Sequence, residues 1–420
     1  MSQHDVEQDH DFIFNWNRLK KVASLSPKPF DLFDETLRDG IQSPSVTDPT
    51  VQEKVEIIHL MESLGIGSAD LGLPGAGKRA YEDTLALVQE IDRTRMKLKP
   101  AAAARTMVKD IQPIVDITQK TGVAVEVYAF IGSSPIRLFS EDWSADSLMG
   151  HIEESIKFAV SEGQEICLVT EDTTRSRPEV LDPLFRRAIE LGANRLCLCD
   201  TVGHATPDGI HNLFDWTRSL LRGLGAEHVK LDWHGHNDRG LGVTNAIIAI
   251  EAGADRVHGT GLGVGERVGN ASMDQILLNL KLLDEWEPGL EHLLLYCQAI
   301  SRACRVDIPY NYPMAGRDAF RTGTGVHAAA IIKAQKKGDH YLADRVYSGV
   351  PAGMFGRHQE IEIGHMSGFS NVIFWLESRR IPVEEELAQG IFAKAKAINR
   401  VLSEDEIMSV VRNYQNAKLK

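Results

Sequence analysis

The chain has 420 residues, 43% hydrophobic and 25% charged, with 35 glycines and 16 prolines. That composition belongs to a globular protein and excludes a disordered or collagen-like chain. Its 59 acidic against 46 basic residues give a formal charge of -13. Such a surface repels phosphate, so a nucleic-acid clamp or an anionic-membrane binder is disfavoured. No stretch approaches the roughly 18 consecutive apolar residues of a membrane span. The start, MSQHDVEQDHDFIFNWNRLKK, lacks the apolar core of a signal peptide. The five cysteines (Cys167, Cys197, Cys199, Cys297, Cys304) include no CxxC pair, so reduced thiols and a cytoplasmic location are expected.

From residue 30 onward, short apolar runs alternate with longer amphipathic stretches. Strands are predicted at 30–35, 68–73, 98–104, 124–131, 165–171, 195–201, 229–236 and 254–260. Between them lie helical patterns such as VQEKVEIIHLMESL, SLMGHIEESIKFAVSEG and VLDPLFRRAIELG, with apolar residues three and four apart and glycine often at the close. Cys197 and Cys199 alternate with leucines in RLCLCD and so share one strand face, where they read as packing thiols. Eight strand–helix units in series predict an α/β fold, a closed TIM (β/α)8 barrel, with chemistry at the C-terminal ends of its strands. The expected layout is an N-terminal arm at 1–27, a catalytic barrel at 28–290, and a tail of loops and helices at 291–420 that covers the barrel mouth or a partner subunit.

Several motifs fall at that mouth. His234 and His236, in HGHND, stand two apart at the end of the seventh strand, so both imidazoles point to one side and can face one metal ion; polar residues closing a strand are the plainer alternative. In DETLRDGIQ after the first strand, Asp39 offers a carboxylate to such an ion and Arg38 a guanidinium for developing negative charge, although a surface Arg–Asp pair explains them too. After the eighth strand, GLGVGERVGN has no GxGxxG spacing, because Glu266 and Val268 fall where the third glycine belongs. Its glycines suit a tight turn, and Asn270 offers a carbonyl oxygen to the same ion. GLPGAGK (72–78) matches GxxxxGK, but Arg79 follows where a phosphate loop needs Ser or Thr, so the loop reads as an apolar pocket wall. Glu171, Asp172, Thr201 and Tyr128 are placed near strand ends; capping, turn and packing roles compete for the last three. His327 and Tyr347 lie in the tail.

Taken together, DETLRDGIQ, HGHND and GxGERxGN resemble the Claisen-condensing branch of the DRE-TIM metallolyase superfamily, and within it the 2-isopropylmalate synthases, with citramalate and homocitrate synthases as siblings. The resemblance covers the barrel and extends weakly through GRDAFRTGTGVH. It implies a divalent metal held by Asp39, His234, His236 and Asn270; this N/O ligand set suits Zn2+, Mn2+, Co2+ or Mg2+. It further implies that a 2-oxo acid condenses with acetyl-CoA and that the thioester is then hydrolysed. Arg38 would stabilise the enolate or alkoxide oxygen, Thr201 and Tyr128 would contact the oxo acid, and Glu171 would lie beside the acetyl methyl group. His327, in GTGVH, and Tyr347, in DRVYSGV, would assist proton transfer. A homodimer is implied as well, with His327 acting in trans.

The chain departs from the family pattern at Thr322, where a His is common, and at GLPGAG, where GFPAAS is common. Superfamily lyases carry a cysteine in the loop after the eighth strand; residues 259–270 contain none, which favours synthesis over 3-hydroxy-3-methylglutaryl-CoA cleavage. Leu71, Leu73 and Pro74 offer no cation for a second carboxylate, so an aliphatic acid such as 2-oxoisovalerate or pyruvate fits better than 2-oxoglutarate; the two aliphatic acids differ by only about 1–3 kcal/mol of discrimination. The chain stops at Lys420 without the regulatory domain of leucine-inhibited members, so leucine inhibition is not expected. The rival readings are a superfamily lyase or aldolase, and a non-catalytic barrel binding nucleotide at Gly72–Lys78.

Overall fold

The computed structural model describes residues 13–14 and 28–419; apart from Ile13 and Phe14, the arm expected at 1–27 lies outside the described residues. The described chain divides into two compact units, with the break after Asp307.

In the first unit, eight parallel strands among the described residues close into a barrel: β1 (Asp31–Asp34), β2 (Ser68–Asp70), β3 (Lys99–Arg105), β4 (Glu126–Gly132), β5 (Ile166–Glu171), β6 (Arg195–Asp200), β7 (Lys230–Gly235) and β8 (Arg256–Gly259). Closure comes from β1 pairing with β8, Asp31 opposite Arg256 and Asp34 opposite Gly259. A helix follows each strand, with local causes in the sequence. Thr50 and Glu53 form a reciprocal capping box on Val51–Ser63. Pro207 sits at the first position of Pro207–Leu224 with Thr206 as its cap, and Gly225, at φ +63°, ends the same helix. Apolar helix faces close on the strands: Ile57, Ile58, Leu87, Ile111, Ile114, Ile156 and Phe185 are buried, each such side chain contributing roughly 1.5–3 kcal/mol.

The barrel unit extends past residue 290. Helix Leu293–Cys304 packs on Val51–Ser63 with Tyr296, Cys297, Ile300 and Cys304 buried. The Thr47 amide donates to the Cys304 carbonyl at 2.9 Å, and Tyr296 donates its hydroxyl to Asp34. This apolar stripe ties the helix to the barrel rather than to the tail.

The barrel floor is charged instead of aliphatic. Arg195 reaches Glu126 (2.9 Å) and Asp232 (2.5 Å), while Arg256 reaches Glu126 (2.8 Å) and the Tyr128 hydroxyl (2.6 Å). All five cysteines are buried and unpaired, with the Cys197 and Cys199 sulfurs 3.7 Å apart. Burial pushes both thiols up, away from reactive thiolate.

The second unit, Ile308–Lys420, pairs β9 (Arg321–Thr322) in parallel with β10 (Glu360–Ile361). Helices Phe369–Ser378, Glu385–Lys396 and Glu404–Lys418 enclose Val372, Trp375, Leu376, Ile391, Ile407 and Val411. Among the described residues no helix is long and apolar enough to cross a membrane.

Candidate active site

At the C-terminal ends of the strands lies a pocket of about 170 Å³. Alternation along β7 turns His234 inward, and the chain beyond Gly235 brings His236 to the same place; their rings lie 5.1 Å apart, edge to face. Asp39, just past β1, meets both, its Oδ2 standing 4.0 Å from His234 Nε2 and 3.4 Å from His236 Nε2. These three buried groups are close enough to share one ion. Asn270 joins them through a backbone bridge with His236. The loop leading to Asn270 needs its glycines: a Cβ on Gly269, at φ +86°, would stand 1.8 Å from the Gly263 carbonyl oxygen.

Two oxygens here are unsatisfied. Asn270 donates through Nδ2 to the Val264 carbonyl, leaving its Oδ1 buried without a partner, and Asp39 Oδ2 is likewise unpartnered. Buried oxygens of this kind are costly unless something binds them, and two imidazoles, a carboxylate and an amide carbonyl are the donor set of a borderline divalent cation. Burial and the neighbouring His234 hold His236 down at about 4; a neutral imidazole is the form that can ligate. The residues fit a metal.

Arg38 is clamped on three sides. Nε donates to Asp70 (2.8 Å), Nη1 to Asp39 (2.8 Å) and Nη2 to Glu35. One N–H remains on each terminal nitrogen for an oxygen in the pocket. Burial, reinforced by the Glu35 charge and opposed by Arg38, lifts the Asp70 carboxyl to about 7. Glu171, at the end of β5, lines the pocket with Arg137 3.6 Å away, and burial raises its carboxyl above the ordinary range. Thr201, just after β6, lines it too and accepts from the Asp172 amide at 2.9 Å. Asp172 itself turns aside to pair with Arg175 and Ser134.

Residues 29–299 match the HMGL-like family. The chain belongs to the HMGL-like family. Relatives include the 2-isopropylmalate synthase of Sulfolobus acidocaldarius, 29% identical over 91% of this chain and 95% of that one. The homocitrate synthase AksA of Methanopyrus kandleri is 28% identical over 93% and 94%. A probable 2-isopropylmalate synthase of the same organism is 30% identical over 89% and 70%. Among solved structures, the hydroxymethylglutaryl-CoA lyase of Pseudomonas aeruginosa shares the fold, with a TM-score of 0.56 at 19% identity over 66% of this chain and 94% of that chain.

In this HMGL-like barrel the structure corrects two expectations and adds to a third. Tyr128 lines the pocket, but from lower in the barrel than a strand end: β4 runs to Gly132, and Tyr128 is its third residue. Its hydroxyl is committed downward, donating to Asp232 and accepting from Arg256, both at 2.6 Å, while Phe130, two residues on, reaches the mouth. The Gly72–Lys78 loop, unlike Tyr128, does not line this pocket. Lys78 is exposed beside Glu82, and Arg79 pairs with Asp48 at 2.9 Å. His327 and Tyr347, which the resemblance links in proton transfer, stack on each other in the second unit with ring centroids 4.0 Å apart.

Glu35, Asp70, His258 and Asp232 were not singled out from the HMGL-like sequence. Glu35 accepts from His234 at Nδ1 (2.6 Å), which turns Nε2 toward Asp39. The signal was present: Glu35 lies two residues beyond Phe33 on β1, and His258 two beyond Arg256 on β8, so alternation turns all four inward.

Proposed function

We propose that this protein is a 2-isopropylmalate synthase-like acyltransferase: it condenses acetyl-CoA with a 2-oxo acid, 2-oxoisovalerate first, and hydrolyses the thioester, a step of leucine biosynthesis. The observation that carries the reading is the convergence of Asp39, His234, His236 and Asn270, with unsatisfied oxygens, beside Arg38 at the barrel mouth. These residues would hold a divalent cation, Zn2+ ahead of Mn2+, Co2+ or Mg2+. Bound there, the ion would supply a Lewis acid for the ketone and a template for the oxo acid.

The chain's own groups then divide the work. Arg38, held in place by Glu35, Asp39 and Asp70, would use its remaining N–H bonds to stabilise the oxygen that gains charge. Thr201 and Glu171, both lining the pocket, would meet the oxo acid and the acetyl methyl group respectively. A base removes the methyl proton, and His327 and Tyr347, stacked on each other, would assist that transfer. The methyl carbon bonds to the ketone carbon, whose oxygen takes up a proton. Water then adds to the thioester and the C–S bond breaks, releasing the CoA thiol. The similarity to synthases over most of the chain, the location in the cytoplasm and a homodimer with His327 acting in trans form one consistent reading.

The experiment is a thiol-release panel: acetyl-CoA with 2-oxoisovalerate, pyruvate or 2-oxoglutarate, with added metals or with chelator. Release with 2-oxoisovalerate that the chelator abolishes is expected; no release with any acid overturns the reading. The lyase alternative is tested in parallel by production of acetyl-CoA from 3-hydroxy-3-methylglutaryl-CoA. The cysteine-free segment 259–270 speaks against it.

A further inference from the structure

Below the candidate ligands lies a column of buried polar groups that leads from the barrel floor to His234. His258, the third residue of β8, is 1% exposed and wedged between two carboxylates. Its Nε2 is 3.1 Å from Asp232 Oδ2, and its Nδ1 is 3.4 Å from Glu35 Oε2. That same Glu35 oxygen lies 2.6 Å from His234 Nδ1. Asp232 is anchored from beneath by Arg195 and Tyr128. The Phe33 ring, 4.5 Å away by centroid, closes one side of His258.

Glu35, His234 and His258 are near enough to be taken for a second metal site. The spacing argues otherwise. Two donor atoms on one ion at about 2.1 Å stand roughly 3 Å or more apart. The 2.6 Å between Glu35 and His234 is instead a hydrogen bond, and Asp232 already occupies the far nitrogen of His258.

We propose that His258 is a positioning residue: bridging Asp232 and Glu35, it holds the Glu35 carboxylate against His234 so that His234 presents Nε2 toward Asp39 and the metal. The imidazole is hydrogen-bonded to Asp232 on one side and faces Glu35 Oε2 at ion-pair distance, 3.4 Å, on the other. Arg38 covers only one of the two Glu35 oxygens, Oε1. Oε2 is shared by the two histidines, and without His258 it is free to rotate away from His234.

The inference rests on the reading of Asp39, His234, His236 and Asn270 as metal ligands, and the experiment separates the two. Binding of Co2+ to purified protein is measured by titration and by the visible absorption of the bound ion. Wild type, His258→Phe, Glu35→Ala and the double variant are compared. His258→Phe keeps a ring in the space but makes neither the hydrogen bond to Asp232 nor the polar contact with Glu35. It is expected to weaken Co2+ binding on the order of tenfold, the usual scale for a group behind a ligand, and to shift the Co2+ spectrum. In the Glu35→Ala background the same substitution is expected to change nothing, because its route to His234 is gone. Equal weakening in both backgrounds, or unchanged affinity and spectrum in His258→Phe, overturns the proposal. If His258→Phe does not fold, His258→Gln takes its place in the same cycle. Failure of wild type to bind Co2+ overturns the metal reading itself, and this proposal with it.

Discussion

Glu35 Oε2 stands 2.6 Å from Nδ1 of His234, so a carboxylate from the first strand fixes the ring that the seventh strand offers to a cation. Glu35→Gln keeps an acceptor for the imidazole but removes its charge. Metal affinity should fall about 10- to 100-fold while the protein stays folded, whereas Asp39→Ala or His236→Ala should abolish stoichiometric binding. Isothermal titration with Zn2+ or Mn2+ orders these variants; equal affinities for Glu35→Gln and wild type would remove Glu35 from the site.

Arg38 makes three directed contacts to three carboxylates, a geometry that a lysine ammonium cannot reproduce. Arg38→Lys should therefore lose about 10²- to 10³-fold in kcat, the scale of removing one donor to a developing oxyanion, with metal content retained. Steady-state kinetics with thiol detection, paired with metal analysis, checks both halves.

The correction at Tyr128 has its own test. Its hydroxyl satisfies Asp232 and Arg256 deep in the barrel. Tyr128→Phe leaves two buried charged groups short of a partner and should lower stability by about 1–3 kcal/mol, with KM for the oxo acid changed less than about twofold. A large rise in KM at unchanged Tm would return Tyr128 to the substrate.

Asp34 gives the fold a pH dependence. Burial, with the Glu35 charge adding to it, raises its carboxyl from 3.8 to about 6 against the hydrogen bonds from Thr36 and Tyr296. The folded state therefore keeps a proton that the unfolded chain has released. Its contribution is complete below pH 3.8 and is lost as the pH climbs through 6. A shift of roughly two units is worth on the order of 3 kcal/mol. In chelator-treated protein, Asp34→Asn should flatten the fall in Tm between pH 4 and 7; a profile parallel to wild type contradicts this.

The glycine loop supplies a further prediction. A methyl group on Gly269 would collide with the Gly263 carbonyl, and the residue holds a positive φ. Gly269→Ala should displace Asn270 and weaken metal binding even though no ligand is altered.

Much of this was legible in the sequence. The eight strand positions, the His234–His236 pair and the mouth positions of Asp39, Arg38 and Asn270 follow from two-residue alternation and from strand ends. What escaped was partnership across the barrel. Alternation turns Glu35, just past β1, and His258 of β8 inward, but only closure of the sheet brings them together with Asp232 of β7, so local spacing does not announce the partnership. Tyr128 was misplaced because the predicted strand stopped at 131 and its hydrogen-bond partners lie about a hundred residues away. Helix Leu293–Cys304 was assigned to the tail because an apolar stripe does not name the surface it will cover; Tyr296 and its bond to Asp34 decide that.

One wall of the pocket is nearly bare. Strand β3 reads KPAAAAR, and Ala101 to Ala104 are all buried, with Ala103 facing the pocket. A strand that contributes only a methyl there acts as a size gauge. If the pocket takes a 2-oxo acid as proposed, a larger side chain at residue 103 would shorten the acid admitted without touching Asp39, His234, His236 or Arg38.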